Sequence, residues 1–444
     1  MFNRVRNKLS DFFTEEHMNE VAKGTLLAFG LKVIGAGLAF IFNVIIARLL
    51  GAEGVGLFFL ALSFTTIGSV IGRLGLDNTL LRFIAIHMAK GEISQVKGVY
   101  LLGMTMASIA SGTLALLGFW LSPWIAIEIF DKPTLVEPLK WMSLAILPFA
   151  ILNLQAESLK GLKCIRDALL VQSIGIPIVG ILLIFPLTKL GGVEGSIWAY
   201  LIATIIVTLL GFSFWLKNTM KLEGKPMLYS LKTLLISCKP LFVTALMNRA
   251  LLPWAPFIFL GVWADNQEVG IFGAVSRIAM LVSFMLTSIN NVLAPKFAEL
   301  YANNEKKVME LTAQRSALMI TLLASPIFLL LIFGGEWVLL LFGPEFMVGA
   351  LALTILATGE FVNTFTGSVN HFLIVTGNEL TVRNITIFGV IIQTILCLTL
   401  IPWTGIIGAA IATAIAVAAI NLIAVYFVWK KTKIIMIPFL GKLK

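Results

Sequence analysis

The chain has 444 residues, 59% of them hydrophobic and only 13% charged, with a formal net charge of +10. Soluble domains are about half apolar and a quarter charged, so this composition excludes a water-soluble enzyme or binding module and reads as a polytopic membrane protein. The basic excess calls for no nucleic acid partner, because loop lysines facing anionic membrane lipids account for it.

The first residues, "MFNRVRNKLSDFFTEEHMNEVAK" (1–23), mix charges and lack a compact apolar stretch, so they read as a cytoplasmic segment and not as a cleavable signal peptide. A spanning helix needs about 20 mostly apolar residues. That ruler places twelve spans near 24–47, 55–76, 98–120, 135–156, 168–188, 195–216, 240–262, 269–293, 316–335, 349–375, 384–402 and 405–429. The uncharged run 384–429 is too long for one crossing, and "IPWTG" at 401–405 supplies the turn that divides it. Long alternating segments of an outer-membrane barrel are absent. Most of the 33 lysines and arginines fall at the termini and after even-numbered spans, which predicts both termini on the cytoplasmic side of the cell membrane. Three scattered cysteines make no disulfide framework, and three scattered histidines show no metal spacing.

The chain repeats itself. "VGLFFLALSFTTIGSVIGRLGLDNTLLRF" from Val55 aligns with "VGIFGAVSRIAMLVSFMLTSINNVLAPKF" from Val269 at a shift of 214 without a gap, and "GVEGSIWAYLIATIIV" from Gly192 aligns with "GIIGAAIATAIAVAAI" from Gly405 at a shift of 213. Each half holds six spans, so both halves enter the membrane from the same side. The expectation is an all-α integral membrane protein of about twelve transmembrane helices in two six-helix bundles, 24–222 and 223–444, related by a pseudo-two-fold axis along the membrane normal. Two matched bundles suit a transporter.

The residues also resemble a family. "IIARLLGAEGVGLFFLALSFTTIGSVIGRLGLDNTLLRFIA" (45–85) is similar to the start of the polysaccharide flippases, the Wzx-like exporters of O-antigen and teichoic-acid units in the multidrug/oligosaccharidyl-lipid/polysaccharide superfamily. "EVGIFGAVSRIAMLVSFMLTSINNVLAPKFAELYANNE" (268–305) and "LIPWTGIIGAAIATAIA" (400–416) resemble that family's eighth span and last hairpin. The resemblance implies flipping of a polyprenyl-pyrophosphate-linked oligosaccharide from the cytoplasmic to the outer leaflet by alternating access, with no cofactor. It implies membrane lipids and polysaccharide polymerases or glycosyltransferases as neighbours. A monomer is the default.

Charges inside spans are the candidate site. A cation at mid-bilayer costs roughly 2.5–3.5 kcal/mol, so it faces a wet cavity or a partner. Lys32 in span one, Arg73 in span two, Arg249 in span seven and Arg277 in span eight hold equivalent places in the two halves and can line one cationic cavity. Arginine offers a planar fork of donors for phosphate oxygens and lysine a mobile point charge. The bland readings are an outward-snorkelling Arg277, an Arg249 satisfying carbonyls freed by Pro253 and Pro256, and an interfacial Arg73. Glu360 in span ten is a candidate for coupling or for pairing a cavity cation, and Asp77 for an ion pair with Arg73 one turn back. Amides such as Asn43, Asn153, Asn248, Asn290 and Asn370 are candidates for sugar hydroxyls, although most intramembrane amides simply join helices.

Two other classes compete. A drug/cation antiporter of the same superfamily should favour buried carboxylates, whereas this chain has more buried cations than anions. A membrane enzyme needs a clustered catalytic constellation at one interface. The longest interior gap, 217–239, is basic and amphipathic and carries none.

Overall fold

The computed structural model of the protein describes residues 15–220 and 222–436, with side chains from Leu27 onward except at positions 288, 291 and 292. Most of the expected cytoplasmic segment 1–23 and the end of the basic tail lie outside these residues. No strand occurs among the described residues. The helices in chain order are α1 (Glu15–Gly72), α2 (Leu76–Ala89), α3 (Ile93–Trp124), α4 (Val136–Leu144), α5 (Ile146–Gly161), α6 (Ile165–Leu169), α7 (Ile176–Thr219), α8 (Leu231–Ala245), α9 (Leu252–Trp263), α10 (Asn266–Ala302), α11 (Lys306–Phe333), α12 (Gly335–Leu340), α13 (Ala350–Thr366), α14 (Val369–Val375), α15 (Glu379–Thr404) and α16 (Ile406–Thr432). π-helical segments, Leu170–Gly175 and Leu246–Leu251, splice α6 to α7 and α8 to α9.

Among the described residues ten helical stretches are long and apolar enough to cross a membrane. Two of them, Leu27–Gly72 with 46 residues and Ile165–Thr219 with 55, are too long for one crossing. Each is folded in two at glycine: Gly51 adopts φ 68° and ψ 176°, and Gly192 adopts φ 53° and ψ −125°. A side chain at positive φ is strained, so these two breaks need glycine. Span seven differs from expectation. It starts nearer the linker, at Leu231 and not at 240, because the helical period runs on through the basic segment: Leu234 and Cys238 are buried while Lys232 and Lys239 stay exposed.

The internal repeat is written into the backbone. Gly192 and Gly405, matched in the sequence, have the same conformation, φ 53° and 52° with ψ −125° in both. Gly56 of α1 and Gly270 of α10, matched at the 214 shift, lie in the crossing of those two helices. A Cβ on Gly56 would overlap the carbonyl oxygen of Asn266, and a Cβ on Gly270 would overlap that of Ala52. Ala52 and Asn266 are also 214 apart. A contact in which i touches j′ and j touches i′ is what a two-fold relation produces.

The core follows from that crossing. One apolar cluster runs through both halves on the side where Gly51 turns, and includes Phe58, Phe59, Phe272, Ile278, Phe342 and Phe346. Polar clasps reinforce it. Arg48 Nε and Nη2 donate to the carbonyls of Leu341 and Leu340 at 2.8 and 2.5 Å, the amide of Ala52 donates to Glu345 Oε1 at 2.8 Å, and Lys132 Nζ donates to the carbonyl of Ala264 at 2.7 Å. On the opposite side, called here the α2 face, the apolar clusters are separate. One belongs to α10, α11 and α14–α16, and another joins α2, α3 and α8. One cluster thus runs through both halves on the Gly51 face, whereas on the α2 face only α8 of the second half packs onto the first, and the rest of the second half keeps its own cluster.

Candidate functional site

Span two stops at Gly72 and restarts as α2 after Leu74 (φ 53°) and Gly75 (φ 78°). A Cβ on Gly75 would lie 2.6 Å from the amide nitrogen of Phe242 and 2.8 Å from the carbonyl of Cys238, so the bare backbone also lets α8 close on this break. The break brings three charges together. Arg73 Nη1 donates to Asp77 Oδ1 at 2.6 Å, and Arg249 Nη1 donates to the same oxygen at 3.0 Å. The pairing of Asp77 with Arg73 is the one expected from their spacing. The second partner is not, since Arg249 comes from the other half of the chain. The side chains of Arg73 and Asp77 are 4% exposed and that of Arg249 is 41% exposed, so Arg249 is the accessible member. Asp77 Oδ2 is buried with no hydrogen-bond partner among the described residues.

Among the described residues Arg249 does not satisfy a carbonyl freed by proline. Pro256 removes the donor that would reach Leu252, and Gln393 Nε2 of α15 donates to the Leu252 carbonyl instead, at 3.0 Å. Arg249 sits on the π-helical segment Leu246–Leu251, whose wider turn breaks the register of span seven just before its prolines.

Lys32 lies about 28 Å along α1 from the Gly51 turn, so it stands near the edge of the roughly 30 Å hydrocarbon and not at its middle. It is within electrostatic reach of Lys160, whose Nζ donates to Glu157 Oε1 at 2.9 Å and to Gln172 Oε1 at 2.7 Å. Glu157 in turn lies within reach of Arg73. A strip of charge thus runs Lys32, Lys160, Glu157, Arg73, Asp77, Arg249, with four cations and two carboxylates. Glu157 and Lys160 were not singled out from the sequence. The signal was a buried-length apolar run, "AILPFAILNLQAESLKG", carrying an acid and a base three residues apart.

Arg277 stands apart from that strip. It lies about 16 Å along α10 from Asn266, near mid-membrane depth. It does not snorkel. Its guanidinium sits 5.6 Å from the ring centroid of Phe59 and 5.2 Å from that of Trp254. Buried Tyr200 lies within electrostatic reach. Among the described residues no carboxylate or carbonyl pairs with it. Trp254 is on span seven, one to two turns beyond Arg249, so Arg277 stands one level farther along that span than Arg249. The four expected cations therefore fall on three levels and not in one ring.

Glu360 keeps to its own half. Its carboxylate accepts from Asn363 Nδ2 at 3.3 Å, and no cation pairs with it among the described residues. Asn43, Asn153 and Asn248 each donate to the carbonyl four residues earlier in their own helix. Asn290 accepts from Ser368, and Asn370 donates to Asn421, which join neighbouring helices.

Residues 21–301 match the family described as polysaccharide biosynthesis protein, and residues 245–399 match the MatE family. The probable low-salt glycan biosynthesis flippase Agl15 of Haloferax volcanii is 22% identical over 409 residues, covering 90% of this chain and 81% of that protein. Stage V sporulation protein B of Bacillus subtilis is 26% identical over 139 residues, which is 31% of this chain and 26% of that protein's length. Among solved structures, the lipid II flippase MurJ in an inward closed conformation superposes with a TM-score of 0.74 at 18% identity, over 91% of this chain and 87% of that one. At that identity the likeness is one of fold.

Proposed function

Since the chain belongs to the polysaccharide biosynthesis protein family, we propose that it is a flippase that carries a polyprenyl-diphosphate-linked oligosaccharide across the cell membrane by alternating access. The α2 face opens to the cytoplasm and the Gly51 face to the outside. The observation that carries this reading is Arg277, a guanidinium at mid-depth held by two aromatic faces and by no carboxylate among the described residues.

Magnitudes explain why that arrangement suits a diphosphate. An unpaired arginine at mid-membrane costs about 2.5–3.5 kcal/mol, and each desolvated cation–π contact returns about 0.5–2 kcal/mol. Two rings offset much of the cost without neutralising the charge. A carboxylate partner would offset it too, but would then compete with phosphate for the same donors. The aromatic box keeps the fork of Arg277 charged and available.

The lower level works by exchange. Asp77 holds Arg249 and Arg73 while no substrate is present. A diphosphate reaching Arg249 supplies more acceptor oxygens than the one shared carboxylate oxygen, so Arg249 can turn from Asp77 to substrate. That transfer breaks an ion pair between the halves as the anion arrives, and couples loading to their movement. The head then passes to Arg277 while its lipid chain stays in the bilayer. Parting of α1 and α10 at Gly56 and Gly270 releases it outward.

The test is reconstitution of the full chain in vesicles with a fluorescent polyprenyl-diphosphate oligosaccharide, scored by the dye's protection from an external quencher. Arg277→Gln should slow flipping by about a hundredfold, the value of a lost charge-assisted contact of about 2.7 kcal/mol, and Arg277→Lys should slow it less. Full activity in Arg277→Gln would overturn the mechanism. The MatE match favours a second reading, a drug/cation antiporter. Wild-type vesicles that exchange a cationic drug for protons and leave the lipid-linked glycan unmoved would establish it instead.

A further inference from the structure

One charged cavity belongs to neither level just described. On the α2 face a cleft of about 430 Å³ is lined by Arg82 and Phe83 of α2, Ile236 and Thr244 of α8, and Glu379 and Arg383 of α15. It exists because span seven changes partners along its length. Its first part, α8, packs on α2 through Leu234 and Cys238, whereas its second part, α9, packs on α15, where Gln393 holds the Leu252 carbonyl. Between α8 and the start of α15 the two helices diverge and leave a wedge.

Both arginines of the wedge are poorly occupied. Arg82 makes no hydrogen bond or ion pair among the described residues, and its guanidinium rests 5.3 Å from the ring centroid of Phe83. Arg383 reaches only its neighbour Asn384 Oδ1, at 3.4 Å. They come from opposite halves of the chain. The starts of α8 and α15 add the positive ends of two helix dipoles. Glu379 is the single acid among the lining residues. The rim is greasy: Ile236 and Leu380 are 66% and 65% exposed. Thr244 lines the inner part of the cleft, about 7.5 Å along the helix before Arg249.

We propose that this cleft is the loading site for the phosphate-bearing head of a membrane-anchored substrate. Arg82 and Arg383 grip the diphosphate oxygens from the two halves, and the lipid chain lies over Ile236 and Leu380. This rests on the flippase reading and adds an entry point to it. It places the first contact between α8 and α15, before Arg249 and well before Arg277. Bridging two halves with one anion also draws α15 toward α2, which closes the wedge behind the head.

The experiment separates binding from transport. Full chain is placed in phosphatidylcholine nanodiscs containing polyprenyl diphosphate, and the half-saturating mole fraction is measured by intrinsic tryptophan fluorescence. The flipping assay is run in parallel. Each basic residue near a membrane surface contributes about 1 kcal/mol toward an anionic lipid, so Arg82→Gln should raise half-saturation about fivefold and Arg82→Gln with Arg383→Gln about thirtyfold. At substrate fractions below half-saturation the flipping rate should fall by the same factors. Glu379→Gln, which removes the opposing charge, should lower half-saturation, and its opposite sign rules out simple misfolding as the cause. Unchanged half-saturation in the double variant, or equal competition by phosphatidylglycerol or inorganic pyrophosphate, overturns the loading site. A wild-type chain that binds the lipid diphosphate through these arginines and flips none overturns the flippase reading and leaves the loading site standing.

Discussion

The second arm of α1 and the helix α10 hold equivalent places in the repeat, yet the first stops at Gly72 and restarts at Leu76, whereas the second runs unbroken from Asn266 to Ala302. The cause is local. Gly75 takes φ 78°, and the residue 214 positions later is Ile289, a β-branched side chain that positive φ strains severely. The consequence is chemical. The break turns α2 so that Asp77 reaches both Arg73 and Arg249. In the other half the distinguishing charge, Arg277, lies at mid-depth, and its repeat counterpart is Ser63, whose hydroxyl donates to the carbonyl of Leu60. The two halves share a scaffold and differ where the charges sit, so the proposed path for an anion draws on the places where the repeat fails.

That comparison can be broken experimentally, and the sharpest break is where the halves agree. Gly56→Ala and Gly270→Ala each put a methyl group into the partner's backbone, and each should lower stability by more than about 3 kcal/mol, since overpacking against rigid backbone has no rotamer to relax. A two-fold crossing requires the two losses, read as thermal unfolding midpoints in detergent, to be nearly equal. A large difference would show that the crossing is not reciprocal. Asp77→Asn attacks the asymmetric feature. It leaves Arg73 buried beside Arg249 with Glu157 as its remaining counter-charge and should cost about 3 kcal/mol. Adding Arg249→Gln should recover part of that loss, and a double variant no more stable than Asp77→Asn alone would deny the pairing. Gly75→Ala tests the break itself. Strain at positive φ together with the approach of Phe242 should cost about 2 kcal/mol, measured in the same way. The smallest effect separates two glycines of identical backbone. Gly192 faces open space, so Gly192→Ala should cost only the strain of its positive-φ backbone, roughly 1–3 kcal/mol. Gly405 lies against the Glu268 carboxylate, which accepts from the amide of Ile406 at 2.6 Å, so Gly405→Ala should cost more. Equal losses would show that this contact carries nothing.

Much of the fold was legible because apolar length, glycine turns and a gapless repeat are properties of the chain itself. The breaks at Gly51 and Gly192 fall between expected spans, and the Arg73–Asp77 pair follows from one helical turn. The site was legible in part. The sequence shows which cations fall within apolar runs, but apart from the Arg73–Asp77 pair it does not show what holds them. Trp254, Phe59 and Tyr200 reach the surroundings of Arg277 from three separate helices, and nothing in their spacing announces it. Arg249 finds Asp77 only because span seven leans on α2. Glu157 escaped notice because an acid three residues before a lysine looks like an ordinary helix end.

The crossing of α1 and α10 has a mechanical consequence. Interlocked side chains must change rotamer before two helices separate, but at Gly56 and Gly270 main chain rests directly on main chain. Such a seam has no teeth. At that point it can slide as two smooth rods, so resistance to separation on the Gly51 face is concentrated in the aromatic cluster and the polar clasps around the crossing and not in the crossing itself.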